Sequence, residues 1–128
     1  MNVDPHILAT LSPDAIKRLE AVRRIAIEVA GPAAAAVDRD GRFPSETFDA
    51  LKREKLLSAY VPVAHGGMGA GMVELGLMCE ALGQRCAASG MVFAMHQIQV
   101  ACIVRHGTTP FFQRYLQDIV RDQRLIAS

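Results

Sequence analysis

A chain of 128 residues makes one domain, large enough to bury roughly two-thirds of the surface its unfolded form exposes, with no need of disulfides or metal. Its 14 Lys+Arg against 13 Asp+Glu leave a net charge of +1, and with 5% aromatics and no basic run the electrostatic footprint of a nucleic-acid binder is missing. The three cysteines, Cys79, Cys86 and Cys102, lack C-x-x-C spacing, which argues against zinc and reads as reduced, buried thiols in a cytosolic protein.

The N-terminal MNVDPHILATLSPD carries acids and no basic stretch ahead of an apolar run, unlike a secretory signal, so a cytoplasmic location is expected. Residues 1–11 read as a tail. Ser12-Pro13-Asp14 then starts a helix: a hydroxyl to cap orphan amides, a proline at the first helical position and a carboxylate at the positive end of the dipole. Ile16, Leu19, Val22 or Arg23, Ala26, Val29 and Ala33 recur at helical spacing to about Ala36, and Pro32 predicts a kink or an end near Ala30. Asp38 to Arg42 is a polar turn.

Phe43-Pro44-Ser45-Glu46 opens a second helix, with Phe48 and Leu51 inward, ending near Leu56. Leu57 to Val63 reads as extended and leads into Ala64-His65-Gly66-Gly67-Met68-Gly69-Ala70-Gly71. The glycine spacing refuses a dinucleotide fingerprint, since Met72 or Glu74 stands where the third glycine belongs, so a tight connection with positive φ is expected instead. A third helix runs from Met72 to about Gln84, with Met72 or Val73, Leu75 or Gly76, Cys79 and Leu82 inward; bare Gly76 would let another helix approach.

Cys86 to His106 is almost free of charge until Arg105 and makes a rod of about 30 Å, the expected central helix. A membrane span is argued against by His96, Gln97 and Gln99 at its middle. Two readings remain. The rod is either buried on most sides, or its stripe of Met91, Ala94, Met95 and Ile98 walls an apolar ligand cavity. Mid-helix His96 reads as a core histidine satisfied by Gln99, a backbone carbonyl or water. Gly107 ends the rod, Thr108 or Thr109 caps the last helix at Pro110, and Phe111, Tyr115 or Leu116, Ile119 and Val120 form its buried face. Arg121 to Arg124 is a polar turn. The whole is an all-α, up-and-down antiparallel bundle of about five helices over residues 12–124. Residues 125–128 look like the start of a strand in a β domain outside the chain.

Taken together, Phe43-Pro44, Leu56-Leu57 to Val61-Pro62, Gly66-Gly67-Met68-Gly69, Glu80-Ala81-Leu82, Arg105-His106-Gly107-Thr108 and Arg114-Tyr115-Leu116 resemble the N-terminal helical domain of the acyl-CoA dehydrogenase family over Ser12 to Ser128. The resemblance implies FAD enzymes that desaturate an acyl-CoA thioester between Cα and Cβ. It implies a base from a later helical domain, most flavin contacts from a middle β domain, an electron-transfer flavoprotein as acceptor, and a homo-oligomer. No catalytic residue and no metal ligand then falls in this chain, which alone should be silent. Carried over by position, one wall of the acyl pocket is Gly90, Met91, Ala94, Met95 and Ile98, and two methionines there suggest a short or branched acyl group. Val63-Ala64-His65 and His96 depart from the family pattern. Flavin-dependent monooxygenases of the same fold place a histidine near the flavin, which makes His96 a flavin-proximal candidate and oxygen chemistry the rival reading. A non-catalytic interaction module is the other alternative.

Overall fold

The computed structural model describes residues 3–126. One helical turn, α1 (Pro5–Leu8), lies within the expected tail, and Val3, Leu8 and Leu11 pack against the main core. The Ser12 hydroxyl accepts from the Ala15 amide at 3.1 Å and launches α2 (Pro13–Ile25), which buries Leu19, Val22 and Ile25. The proline does not break the rod. Ala26–Ala30 forms a π-helical turn in which the Gly31 amide donates to the Ala26 carbonyl, five residues back, and α3 (Gly31–Asp40) continues. Pro32 has no amide to give, and its ring would collide with a carbonyl in a regular turn; one extra residue in the preceding turn absorbs both problems. The helix outlasts the expected end at Ala36 and stops at Gly41, whose φ of 58° reverses the chain.

The next helix, α4 (Ser45–Arg53), buries Thr47, Phe48, Ala50 and Leu51. The stretch after it was expected to be extended and is not. Lys55 turns left-handed at φ 58°, and two single 3-10 turns follow, Leu56–Ser58 and Val63–His65. Consecutive Leu56, Leu57, Ser58 and Ala59 are all buried, which a strand, with its alternating faces, cannot achieve against a one-sided core. Glycine lets the following loop fold back tightly. A Cβ on Gly67 would sit 2.0 Å from the Val61 carbonyl oxygen, while Gly66 and Gly69 take positive φ.

Helices α5 (Met72–Gly83) and α6 (Ala87–His106), joined by three residues, pack as antiparallel neighbours. Their close approach is not at Gly76, where nothing lies within 4 Å of a Cβ position, but where Gly90 meets Gly83. On α5 the buried face is Glu74, Leu75, Leu77, Met78, Ala81 and Leu82, and Met72 and Val73 are exposed. Glu74 is buried because Arg18 of α2 clasps it bidentately, at 2.6 and 3.0 Å. Helix α7 (Pro110–Asp122) starts from Thr109, whose hydroxyl accepts from the Phe112 amide. Its Leu116 and Ile119 close a smaller core with Val61 and Val100, whereas Phe111, more than a turn upstream, is left exposed. With α2 and α3 forming one rod, five long helices make the all-α bundle, and among the described residues no strand forms. Leu125 and Ile126 carry no regular structure, and the expected strand otherwise falls on Ala127 and Ser128, outside the described residues.

Candidate functional site

Apolar on nearly every side, α6 has no sequence period to say which face it buries. The structure decides: Ser89, Gly90, Phe93, His96, Gln97 and Val100 turn inward, while Met91 is 63% and Ile98 52% exposed. The rod is therefore buried along one side only, not on most sides. It is the one helix among the described residues long and apolar enough to cross a membrane, yet its buried side holds polar His96 and Gln97.

Between α5 and α6 runs an apolar groove of about 330 Å³. Met72, Leu75, Gly76 and Cys79 form one flank, Ala94 and Ile98 the other, and Arg105 and His106 bound one end. Gly76 contributes by absence, since any side chain there would project into open space. Of the five residues expected to form a wall, Ala94 and Ile98 line this groove. Met91 lies on the open face beyond it, Met95 is half-buried outside it, and Gly90 is enclosed at the helix crossing. Continuing the same spacing one turn past Ile98 would have found Ala101 and Cys102, which also line it. The α5 flank had no such signal, because it depends on how two helices cross. Cys102 is consequently exposed, Cys79 half-buried and Cys86 buried, so only one of the three thiols sits as expected. Burial pushes the Cys79 thiol up, toward an inert, protonated form.

His96 is fully buried. Its Nε2 lies 2.6 Å from the Leu57 carbonyl oxygen, and its Nδ1 accepts from the Ile126 amide at 3.0 Å. The amide can only donate, so the ring hydrogen sits on Nε2. Desolvation lowers its pKa, partly offset by the Leu57 carbonyl. The partner is thus a backbone carbonyl rather than Gln99, and in this arrangement neither ring nitrogen is left over. Beside it, the Gln97 amide nitrogen donates to the Leu56 carbonyl at 3.1 Å. No carboxylate lines the groove, and among the described residues no group of three or more His, Cys, Asp or Glu gathers as metal ligands would. This site can bind and orient an apolar group.

Residues 12–123 match the sequence model of the family described as "Acyl-CoA dehydrogenase, N-terminal domain". The chain belongs to the acyl-CoA dehydrogenase family. Among its curated relatives is the 3-sulfinopropanoyl-CoA desulfinase of Paraburkholderia xenovorans, 33% identical over 97 residues, which cover 74% of this chain and 25% of that protein. Another is the cyclohex-1-ene-1-carbonyl-CoA dehydrogenase of Geobacter metallireducens, 27% identical over 110 residues, 86% of this chain and 29% of that protein. A third is the acryloyl-CoA reductase (NADH) of Anaerotignum propionicum, 29% identical over 94 residues, 73% of this chain and 24% of that protein. The chain thus spans about a quarter of the length of these relatives. No solved structure matches significantly.

An acyl-CoA dehydrogenase domain of this kind raises the question of FAD, and residues 3–126 alone do not fit it. The glycine loop is folded onto Val61 rather than open as a phosphate cradle. The α5–α6 groove, at about 330 Å³, is at the small end of ligand sites, which run from about 300 to 1,000 Å³.

Proposed function

We propose that this domain supplies one wall of the acyl pocket in an FAD-dependent acyl-CoA dehydrogenase that desaturates a short or branched acyl thioester. The observation that supports the reading is the apolar groove between α5 and α6, flanked by Ala94 and Ile98 and left open by Gly76. Burying an acyl group there would gain roughly 25 cal/mol for each Å² of apolar surface removed from water and hold the reacting carbons in one place. FAD, held by the rest of the protein, is the oxidant in this reading, and an electron-transfer flavoprotein or another acceptor takes the electrons onward. The proton-accepting carboxylate also belongs to the rest of the protein, because none lines the groove. Relatives whose names specify three-carbon or ring-bearing acyl-CoA support short or branched acyl groups.

The test uses the flavin-loaded protein that contains this domain, assayed with butanoyl-CoA, isobutyryl-CoA and palmitoyl-CoA. Replacing Gly76 with Leu, or Ala94 with Phe, fills the groove and should raise KM for the short substrates about tenfold or more, corresponding to at least about 1.4 kcal/mol of lost binding. A preference for palmitoyl-CoA, or an unchanged KM in both variants, defeats the proposal.

A further inference from the structure

The buried turn Leu56–Ser58 is held by side chains that come from two other helices. The Leu57 amide donates to Gln123 Oε1 at 3.1 Å, and its carbonyl faces His96 Nε2. Gln123 Nε2 in turn donates to the Ser58 hydroxyl at 2.9 Å, and Gln97 holds the Leu56 carbonyl. The two non-glycine residues with positive φ among those described are Lys55, just before this turn, and Gln123, which follows α7 and belongs to the cluster. His96 adds a second attachment: its Nδ1 receives the amide of Ile126, in the irregular segment that follows α7.

We propose that His96 is a proton-operated latch, holding the Leu125–Ile126 segment against α6 while the imidazole is neutral and releasing it once a second proton binds. The reason is stereochemical. A neutral ring has one acceptor nitrogen, and Ile126 occupies it. A proton added to Nδ1 would point a donor straight at another donor 3.0 Å away, and that bond cannot survive. The Nε2 bond to Leu57 is a donor contact in either state and persists. Protonation therefore cuts one of two bonds and loosens the segment, leaving it only the apolar packing of Leu125 and Ile126 against the two cores, without dismantling the turn.

The sign of the pH effect follows. Burial disfavours the charged ring, so the latch is closed above the ordinary histidine range and opens as pH falls below it. Charged groups on the elements around the ring do not oppose this. Glu54 and Lys55 beside the turn, Arg105 and His106 on α6, and Asp122 and Arg124 beyond the core are all exposed. Asp122 and Arg124 neutralise each other at 3.1 Å, and Arg105 turns to the Tyr60 hydroxyl. Half-buried His65 lies in the turn after Val61 and makes no bond to the ring.

The proposal does not depend on the acyl-pocket reading, and its test needs no substrate. In the 128-residue chain, amide exchange read by NMR reports the protection of Ile126 from about pH 8 down to the pH at which the chain itself unfolds in acid. Protection of Ile126 should fall about tenfold, the worth of one hydrogen bond, while the amides of Val22, Leu82 and Phe93 hold. His96→Asn keeps an acceptor near the Nδ1 position and should keep Ile126 protected at every pH. His96→Gln keeps only the reach to Leu57 and should leave Ile126 unprotected throughout. Should a variant fail to fold, the pH series on the unaltered chain still decides. Loss of Ile126 ahead of Phe93 supports the latch; loss of the two together, or none at all, overturns it.

Discussion

Replacing Gly90 by alanine tests how α5 and α6 meet, on which the groove depends. A Cβ at Gly90 would lie 2.7 Å from the Gly83 Cα, 2.8 Å from its nitrogen and 3.2 Å from the Cys79 carbonyl oxygen. All three are backbone atoms and cannot rotate away. Carbon pairs rest at about 3.5–4.0 Å, so the helices must part by about 1 Å. Overpacking costs about 1–3 kcal/mol; contacts this close to immovable backbone fall in the upper part of that range, about 2–3 kcal/mol, and alanine returns about 1 kcal/mol in helix propensity. The net expectation is a loss of about 1–2 kcal/mol. Gly76→Ala is the control on the facing helix: with nothing within 4 Å, only the propensity gain of about 0.5–1 kcal/mol remains. Urea unfolding followed by far-UV circular dichroism should place the Gly90→Ala midpoint about 0.5–1 M below the parent, for an m-value of about 2 kcal/mol/M, and the Gly76→Ala midpoint above it. A Gly90→Ala protein as stable as the parent, or a Gly76→Ala protein equally weakened, would refute the helix contact described here.

Two further perturbations probe ion pairs of opposite character. Glu74→Gln removes the buried half of the Arg18 clasp and should cost about 2 kcal/mol in the same assay, less than for a wholly buried pair because the Arg18 side chain is 20% exposed; no loss would mean the clasp is idle. At the surface, Arg42 holds the Glu46 carboxyl down to about 2, so this pair's contribution is present above the ordinary glutamate range and fades as pH falls toward that value. An NMR titration should find Glu46 near 2, and Arg42→Ala should return it to the ordinary range; a normal titration in the parent chain would contradict the pair.

Part of the site was open to reading in advance because α6 continues its own spacing: Ala94 and Ile98 lie on one side of a helix whatever it packs against. The other flank was not. Nothing in Met72 or Cys79 announces that they face Ile98, and Gly76, read as a place for helix contact, turned out to be a place for space. Buried Gln123 was read as part of a polar turn, since a glutamine near a helix end looks solvated until a distant turn with unmet peptide groups is placed beside it.

By itself the amino-acid sequence settled what depends on neighbours along the chain. Ser12 and Thr109 cap their helices and prolines sit in first turns, because capping and φ preferences act over a few residues. Tertiary structure alone decided the rest. It chose the buried side of a helix apolar on almost every face, carried the chain through Pro32 by one widened turn, and coiled Leu56–Ser58 where an extended strand was expected. The widened turn answers to Pro32's own missing amide and ring; the physical reason is common to the other two. Their peptide and side-chain groups are satisfied by partners remote in sequence, as when His96 of α6 donates to the Leu57 carbonyl from one nitrogen and accepts from the Ile126 amide on the other.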